Sequence, residues 1–330
     1  MEESDKQLEA LNIIKKTLGK KFKDPGLIHI GMENKDHYDV DVIPTGSMGL
    51  DIATQIGGWP RGRVVELYGM ESVGKSTLMM LAIAKCQAMG GRAALIDAEQ
   101  SLDKRYASIL GVDLDKLIFV QPDYGEQALE VTNTLAKSSL VDMIGIDSVA
   151  ALTPKAEVED DMDSNHMGLQ ARMMGQALRK ISPVARETNT LILFSNQIRS
   201  KLGGYGNPNT TPGGNALKFF ASMRVELFRS GIDKEQASNI VKARVVKNKL
   251  GIPYQEAEFE LLWGIGINRA AELIDACVGS GIIELKGSWY GYNSQTWQGK
   301  KGFSEVINQD IDLYDQLFKE YQQLRDKKNE

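Results

Sequence analysis

Gly69-Met70-Glu71-Ser72-Val73-Gly74-Lys75-Ser76 fits the pattern GxxxxGK[ST] in full and decides the fold class. The pattern has a mechanism only where a strand runs into it and a helix leaves it. Both flanks are readable: Arg63–Tyr68 (RVVELY) reads as a strand and Lys75–Met89 as a helix. In that setting the glycines let backbone N–H groups curl around phosphate oxygens, and the helix N-terminus adds partial positive charge. Lys75 is placed to reach the β- and γ-phosphates of ATP, and the Ser76 hydroxyl to bind Mg²⁺. The expected cofactor cradle is Gly69, Glu71, Ser72, Val73, Gly74, Lys75, Ser76 and Thr77.

Working outward, Arg92–Asp97 (RAALID), Leu117–Gln121 (LIFVQ), Val141–Asp147 (VDMIGID) and Thr190–Asn196 (TLILFSN) read as further strands. Helices are expected between them at 103–110, 125–138 and 168–188. Apolar strands alternating with helices predict an α/β fold whose mainly parallel sheet is covered on both faces. Ligands of such sheets bind beyond the strand C-terminal ends. After residue 216 the pattern changes: Phe220–Arg229, Ile240–Lys249 and Tyr254–Trp263 predict an antiparallel extension. The last stretch reads as a helix, two short strands (281–286 and 289–292) and two helices (302–308 and 310–327). Leu8, Leu11, Ile14 and Leu18 recur at helical spacing near the N-terminus, and such a stripe must be buried against its own domain or a neighbouring copy. Three segments result: an N-terminal oligomerisation helix and linker at 1–37, a core at 38–269 and a small C-terminal domain at 270–330.

The composition is that of a globular protein, with 42% hydrophobic and 25% charged residues, so a core forms without covalent staples. Cys86 and Cys277 are far apart and lack a CxxC, which excludes a disulfide framework and a zinc site and suits a reducing cytoplasm. The first six residues are acidic and polar, unlike a secretory signal, and the longest apolar runs are strand-length, so no membrane span is expected. A formal net charge of −5 argues against a uniformly basic nucleic-acid binder but leaves room for basic loops. His29, His37 and His166 have no metal-ligand spacing.

Two carboxylates stand near the phosphate loop. Asp147 closes the apolar strand Ile144-Gly145-Ile146-Asp147 and is a candidate magnesium ligand. Glu99, two residues beyond the RAALID strand, is a candidate for polarising an attacking water; its spacing alone slightly favours a solvated loop acid.

From the phosphate loop onward the chain resembles the bacterial RecA recombinases, over roughly residues 40 to 300. The resemblance is carried by Gly69–Leu78 (GMESVGKSTL), Ile96–Leu102 (IDAEQSL), Gln121–Leu129 (QPDYGEQAL), Asp147–Glu157 (DSVAALTPKAE) and His166–Lys180 (HMGLQARMMGQALRK). Asn196–Arg199 (NQIR), Gly206–Phe219 (GNPNTTPGGNALKF) and Val245–Lys249 (VVKNK) continue it. It implies a RecA-like P-loop ATPase core with an N-terminal helix and a small α+β C-terminal domain. The implied activity is DNA-stimulated ATP hydrolysis by a helical filament that pairs single-stranded DNA with homologous duplex and exchanges strands. Further implied partners are a single-strand-binding protein and, in an SOS response, a LexA-type repressor.

Carried over position by position, the resemblance makes Glu99 the carboxylate that orients water and Gln197 the sensor of the γ-phosphate. Asp103 and Tyr106 become adenine contacts, and Lys247 and Lys249 reach the phosphates across a subunit boundary. Trp263, beside Gly264, stands where a tyrosine near the adenine of the next subunit is usual. Taken without the resemblance, Lys247 and Lys249 also fit an exposed charged strand.

Two segments are expected to face DNA. In the first, 157–169, Glu157, Glu159, Asp160, Asp161 and Asp163 suit a solvated loop. The resemblance instead makes Met167 a wedge between bases, with Gly168, Arg172, Gly175 and Arg179 beside it. The second, Ile198–Gly214, is glycine-rich and carries Arg199, Lys201, Tyr205, Asn207, Asn209, Thr210 and Thr211, a mixture suited to phosphate contacts and base stacking. Its end at Gly213, Gly214 and Asn215 can offer backbone N–H groups to phosphate. The methionine pairs at 79–80 and 173–174, and Trp289, Tyr290 and Tyr292, are expected to pack. Lys286, Lys300 and Lys301 fit a weak duplex-binding patch or plain surface equally.

Some positions depart from the family pattern: Met70 for proline, Ser76 for threonine, and Gly145 inside a usually β-branched strand. The second loop is one residue shorter and the chain closes on Leu324-Arg-Asp-Lys-Lys-Asn-Glu rather than an acidic tail, which implies less restrained duplex binding. Such departures suit a divergent or phage-borne member. A ring helicase and a nucleotide-gated signalling module are the competing functions; fork unwinding by closed rings, or ATP turnover indifferent to DNA, would select them.

Overall fold

The computed structural model describes residues 2–22, 40–160, 166, 168–200, 209–234 and 237–329. They divide into two units, Met1–Val40 and Asp41–Glu330. The first holds helix α1 (Glu2–Phe22).

The second unit is built on a mixed sheet. Along the chain come α2 (Met48–Ala53), β1 (Val64–Gly69), α3 (Lys75–Ala88), β2 (Ala93–Asp97), α4 (Lys104–Ile109), β3 (Ile118–Val120), α5 (Gly125–Lys137) and β4 (Met143–Asp147). Then follow α6 (Lys155–Glu159), α7 (Leu169–Glu187), β5 (Leu191–Gln197), α8 (Ala216–Phe220), β6 (Met223–Asp233), β7 (Ser238–Asn248), β8 (Gln255–Leu262) and β9 (Gly266–Ile267). Among the described residues the sheet has nine strands in the order β9-β8-β7-β6-β1-β5-β4-β2-β3. β6, β1, β5, β4, β2 and β3 are mutually parallel, and β7, β8 and β9 extend the sheet antiparallel from β6.

Strand residues alternate between two cores, as a pleat requires. Val65, Leu67, Leu95, Met143 and Leu193 face α3 and join Met79, Met80 and the antiparallel strands. Val64, Ala94, Ile96, Ile144 and Phe194 face the opposite way, with Leu129 of α5 and Met174 and Leu178 of α7. Both methionine pairs are buried, as expected. Gly145 has a packing reason that propensity does not show: a Cβ there would stand 2.8 Å from the Met79 Sδ, so glycine lets α3 lie close on β4.

A third core gathers Leu273 and Cys277 of α9 (Arg269–Ser280) with Phe303 and Ile307 of α10 (Lys300–Gln309) and Leu317 of α11 (Ile311–Asn329). Beside it lies a three-stranded antiparallel sheet of β10 (Glu284–Lys286), β11 (Trp289–Tyr292) and β12 (Gln295–Gln298).

The elements differ from expectation in several places. Phe220 ends α8 and the strand begins at Met223, because Ala221 breaks the helix with φ −56° and ψ 130°. The first loop is helical at its start, where α6 reaches Glu159. β12 was not expected: Gln295-Thr296-Trp297-Gln298 is mostly polar, and its pairing with β11 supplies the structure. Trp289 is 47% exposed rather than packed, whereas Trp297 stacks on Phe303 at 4.2 Å.

Candidate active site and the loops beside it

β1 delivers the phosphate loop to the C-terminal edge of the parallel strands. Gly74, at φ 103°, takes the left-handed conformation that turns the chain into α3. Lys75 is buried, and its Nζ donates to the carbonyls of Gly69 (3.2 Å) and Met70 (2.7 Å). Burial lowers its pKa, opposed by Asp147, Glu99 and Glu71.

Asp147 ends β4 beside this lysine. Its buried carboxylate accepts hydrogen bonds from the hydroxyls of Ser195 and Ser76. Burial raises its pKa against those bonds, and Glu99 adds to the rise while Lys75 opposes it. The Asp147 carbonyl also accepts the N–H groups of Ala98 (2.8 Å) and Glu99 (3.2 Å), which sets Glu99 at the mouth of the site. The Glu99 carboxylate accepts the Ser148 hydroxyl, and the Gln197 Nε2 donates to it at 3.3 Å. Asp147, Glu99 and Gln197 thus come from three adjacent strand ends and meet.

Asp103 caps α4, accepting the Tyr106 N–H at 3.0 Å. Tyr106 shares a hydrogen bond with Thr77 at 3.2 Å, holding its ring against α3. A cleft of about 630 Å³ opens between Ser72, Gly74, Lys75, Ser76, Thr77 and Tyr106 on one side and Trp263 and Gly264 on the other. Trp263 therefore lines the same cleft as the phosphate loop of its own chain. Two polar residues of this cleft went unnoticed in the sequence, Arg229 and Asn239. The Asn239 Oδ1 is buried without a hydrogen-bond partner. An asparagine within a strand-forming run was the available signal, since strands disfavour it.

Lys247 and Lys249 lie elsewhere. Lys247 pairs with Arg224, and the Lys249 N–H donates to the Ser222 carbonyl at 2.9 Å. Leu227 is the residue of β6 that pairs with Gly69, where the loop begins. Arg224 is three residues further back, so Lys247 sits about 10 Å down the sheet from its own loop at ~3.3 Å per residue, and Lys249 further still. The Lys247 Nζ donates to the carbonyls of Lys218 (2.7 Å) and Phe219 (3.1 Å). Burial lowers its pKa, followed by repulsion from Lys249 and Arg224.

Of the first loop's residues, Met167 lies outside the described residues. Gly168 begins α7, and Arg172 and Arg179 are exposed on that helix with Gly175 between them at matching spacing. In the second loop, Arg199–Ser200 pairs antiparallel with Asn209–Thr210, closing the loop at its base; Lys201, Tyr205 and Asn207 lie outside the described residues. Thr211 is buried with its hydroxyl unpartnered, and Gly213, Gly214 and the exposed Asn215 lead into α8.

Residues 7–268 match the RecA N-terminal domain family. The chain belongs to the RecA family. Protein RecA of Francisella philomiragia subsp. philomiragia is 50% identical over 326 residues, covering 97% of this chain and 89% of that protein. Protein RecA of Francisella tularensis subsp. novicida is 50% identical over 319 residues, covering 95% and 88%. As a RecA family member the chain is a homologous recombination protein and a DNA-dependent ATPase, using ATP and forming filaments on DNA. Among the described residues no group of three or more acidic, histidine or cysteine side chains forms a metal cluster, and no helix is long and apolar enough to cross a membrane.

Proposed function

We propose that ATP is held between adjacent copies of this chain and that its terminal phosphate tightens the filament's grip on single-stranded DNA. The observation that carries this reading is the sheet register, which takes Lys247 and Lys249 away from their own phosphate loop. If these cations stabilise the charge that develops on the γ-phosphoryl group, they do so for a neighbour.

Within one chain, Gly69 to Thr77 cradle the phosphates, Lys75 neutralises them, and Glu99 aligns water. Tyr106, Asp103, Trp263 and Gly264 take the base. The hydroxyl of Ser76 and the carboxylate of Asp147 are hydrogen-bonded oxygen donors of the kind Mg²⁺ prefers, and they fit as its protein ligands. When bound, Mg²⁺ draws negative charge from the phosphates. Gln197 joins Glu99 to the second loop, whose Arg199, Lys201, Tyr205, Asn207, Thr210, Thr211, Gly213, Gly214 and Asn215 take one strand together with Met167, Gly168, Arg172, Gly175 and Arg179.

The segment 1–37 docks on the next copy, residues 38–269 form the ATPase core, and residues 270–330 form a small domain of their own. A homologous duplex is the second DNA partner. A single-strand-binding protein and a LexA-type repressor complete the set, in the cytoplasm, where the buried thiols of Cys86 and Cys277 remain free. Family membership supports these assignments.

Mixing two inactive variants tests the shared site. Glu99→Gln and Lys249→Ala each abolish DNA-dependent ATP hydrolysis alone. Combined equally, about a quarter of the seams regain both groups and turnover returns in proportion. A mixture as inactive as its parts would refute a site completed by a neighbour.

A further inference from the structure

Gln170, in the first turn of α7, ties the feet of both loops together through one side-chain amide. Its Nε2 donates to the carbonyls of Val149 (2.9 Å) and Leu152 (3.1 Å), and its Oε1 accepts the Gly213 N–H at 3.1 Å. The three contacts agree on one amide orientation, because carbonyls only accept and a backbone N–H only donates.

Each end of this bridge leads to the nucleotide site. Val149 directly follows Ser148, whose hydroxyl is held by Glu99. Gly213 directly follows Pro212, whose carbonyl accepts from the Asn196 Nδ2 at 3.2 Å. That same Nδ2 is anchored to the buried Glu66 at 2.9 Å, and Asn196 directly precedes Gln197. The contact between Glu99 and Gln197 therefore reaches residues 212–213 by two routes, one along β5 through Asn196 and one through residues 148–152 and Gln170. A shift that moved only one route would break hydrogen bonds on the other, and leaving such buried groups unpaired is costly.

We propose that Gln170 is a positioning residue that makes the two loop feet answer the nucleotide as one body, so that DNA affinity follows the γ-phosphate. The inference rests on the reading above, in which Gln197 senses that phosphate and the second loop holds DNA. Helix α7 also carries Arg172 and Arg179, so the bridge would hold their register to the second loop as well.

Two variants separate bridging from packing. Gln170→Met fills a similar volume with a good helix former but removes every polar atom. Gln170→Glu keeps an acceptor for Gly213 and a charge favoured in the first helical turn, yet sets oxygen against the carbonyls of Val149 and Leu152. The full chain is titrated with a fluorescent single-stranded oligonucleotide in a non-hydrolysable ATP analogue and again in ADP, and the ratio of affinities is the readout. ATP affinity without DNA and Tm are measured alongside.

The expected result is a ratio about tenfold lower in both variants, the scale of one or two lost hydrogen bonds, with ATP affinity unchanged. A wild-type ratio in both overturns the inference, as does an equal loss in both nucleotides, which would mark a merely structural role. Gln197→Ala is measured in parallel. If it collapses the ratio while the Gln170 variants do not, this inference alone fails; if it also leaves the ratio intact, the nucleotide-driven reading of the loop fails and takes the inference with it.

Discussion

Two buried carboxyl groups, Asp147 at the nucleotide end of the sheet and Glu272 where α9 meets α2, have the same kind of pKa shift and opposite surroundings. Burial raises both. Glu272 is pushed up to about 7 although it accepts the Ser47 hydroxyl (2.5 Å) and the N–H groups of Met48 and Gly49 (both 3.2 Å). Asp51, itself raised to about 6 by burial, repels it. Glu272 closes the N-terminal end of α2 and has its donors in place. Asp147 instead has Ser76, Lys75 and Glu99 as neighbours and lines, with Ser76, Asp103 and Tyr106, a pocket of about 120 Å³ that a ligand can enter. A displaced pKa marks a buried carboxyl in both places; convergence of charged groups beside a pocket marks only one as chemical.

The largest expected effect comes from Lys75→Ala. ATP hydrolysis should fall roughly a thousandfold in a coupled assay, while Tm holds, because burial already disfavours the ammonium. A large fall in Tm would erase the distinction between the two regions by making Lys75 structural.

Glu272 gives the converse. Its folded pKa of about 7 exceeds the ordinary 4.5, so between these values the folded chain binds more protons than the unfolded one. Stability then falls as pH rises through that window, by about 3 kcal/mol in total. Urea denaturation at pH 5 and pH 8 should show this slope in the wild type and a flatter one in Glu272→Gln, the buried carboxyls of Asp51 and Asp147 contributing to the remainder. DNA-dependent ATP hydrolysis by Glu272→Gln near neutral pH should match the wild type. Lost turnover with unchanged stability would move Glu272 into the same class as Asp147.

The smallest effect sharpens the nucleotide side. Trp263→Ala removes one wall of the cleft and should raise the KM for ATP about fivefold, near 1 kcal/mol of lost contact, with kcat unchanged. A fall in kcat instead would place the indole nearer the phosphates than the cleft suggests.

Much of this molecule was legible in its sequence because the signals are local. The phosphate loop is contained in eight residues, and most of the parallel strands announce themselves as short apolar runs. Glu99 and Gln197 were singled out, yet their contact needed β5, β4 and β2 to lie side by side. Asn239, Arg229 and Gln170 carry no motif of their own. They became visible only when the fold set them against a cleft or between two loops.

By itself, then, the sequence determined the P-loop α/β class, the family, and the short stretches that bear the chemistry. Tertiary structure decided that Trp263 lines the same cleft as its own phosphate loop, that Lys247 and Lys249 lie away from theirs, and that Gly145 makes room for Met79. The physical reason is range. Periodicity and turn chemistry act over a few residues, whereas strand register and side-chain packing depend on partners far along the chain.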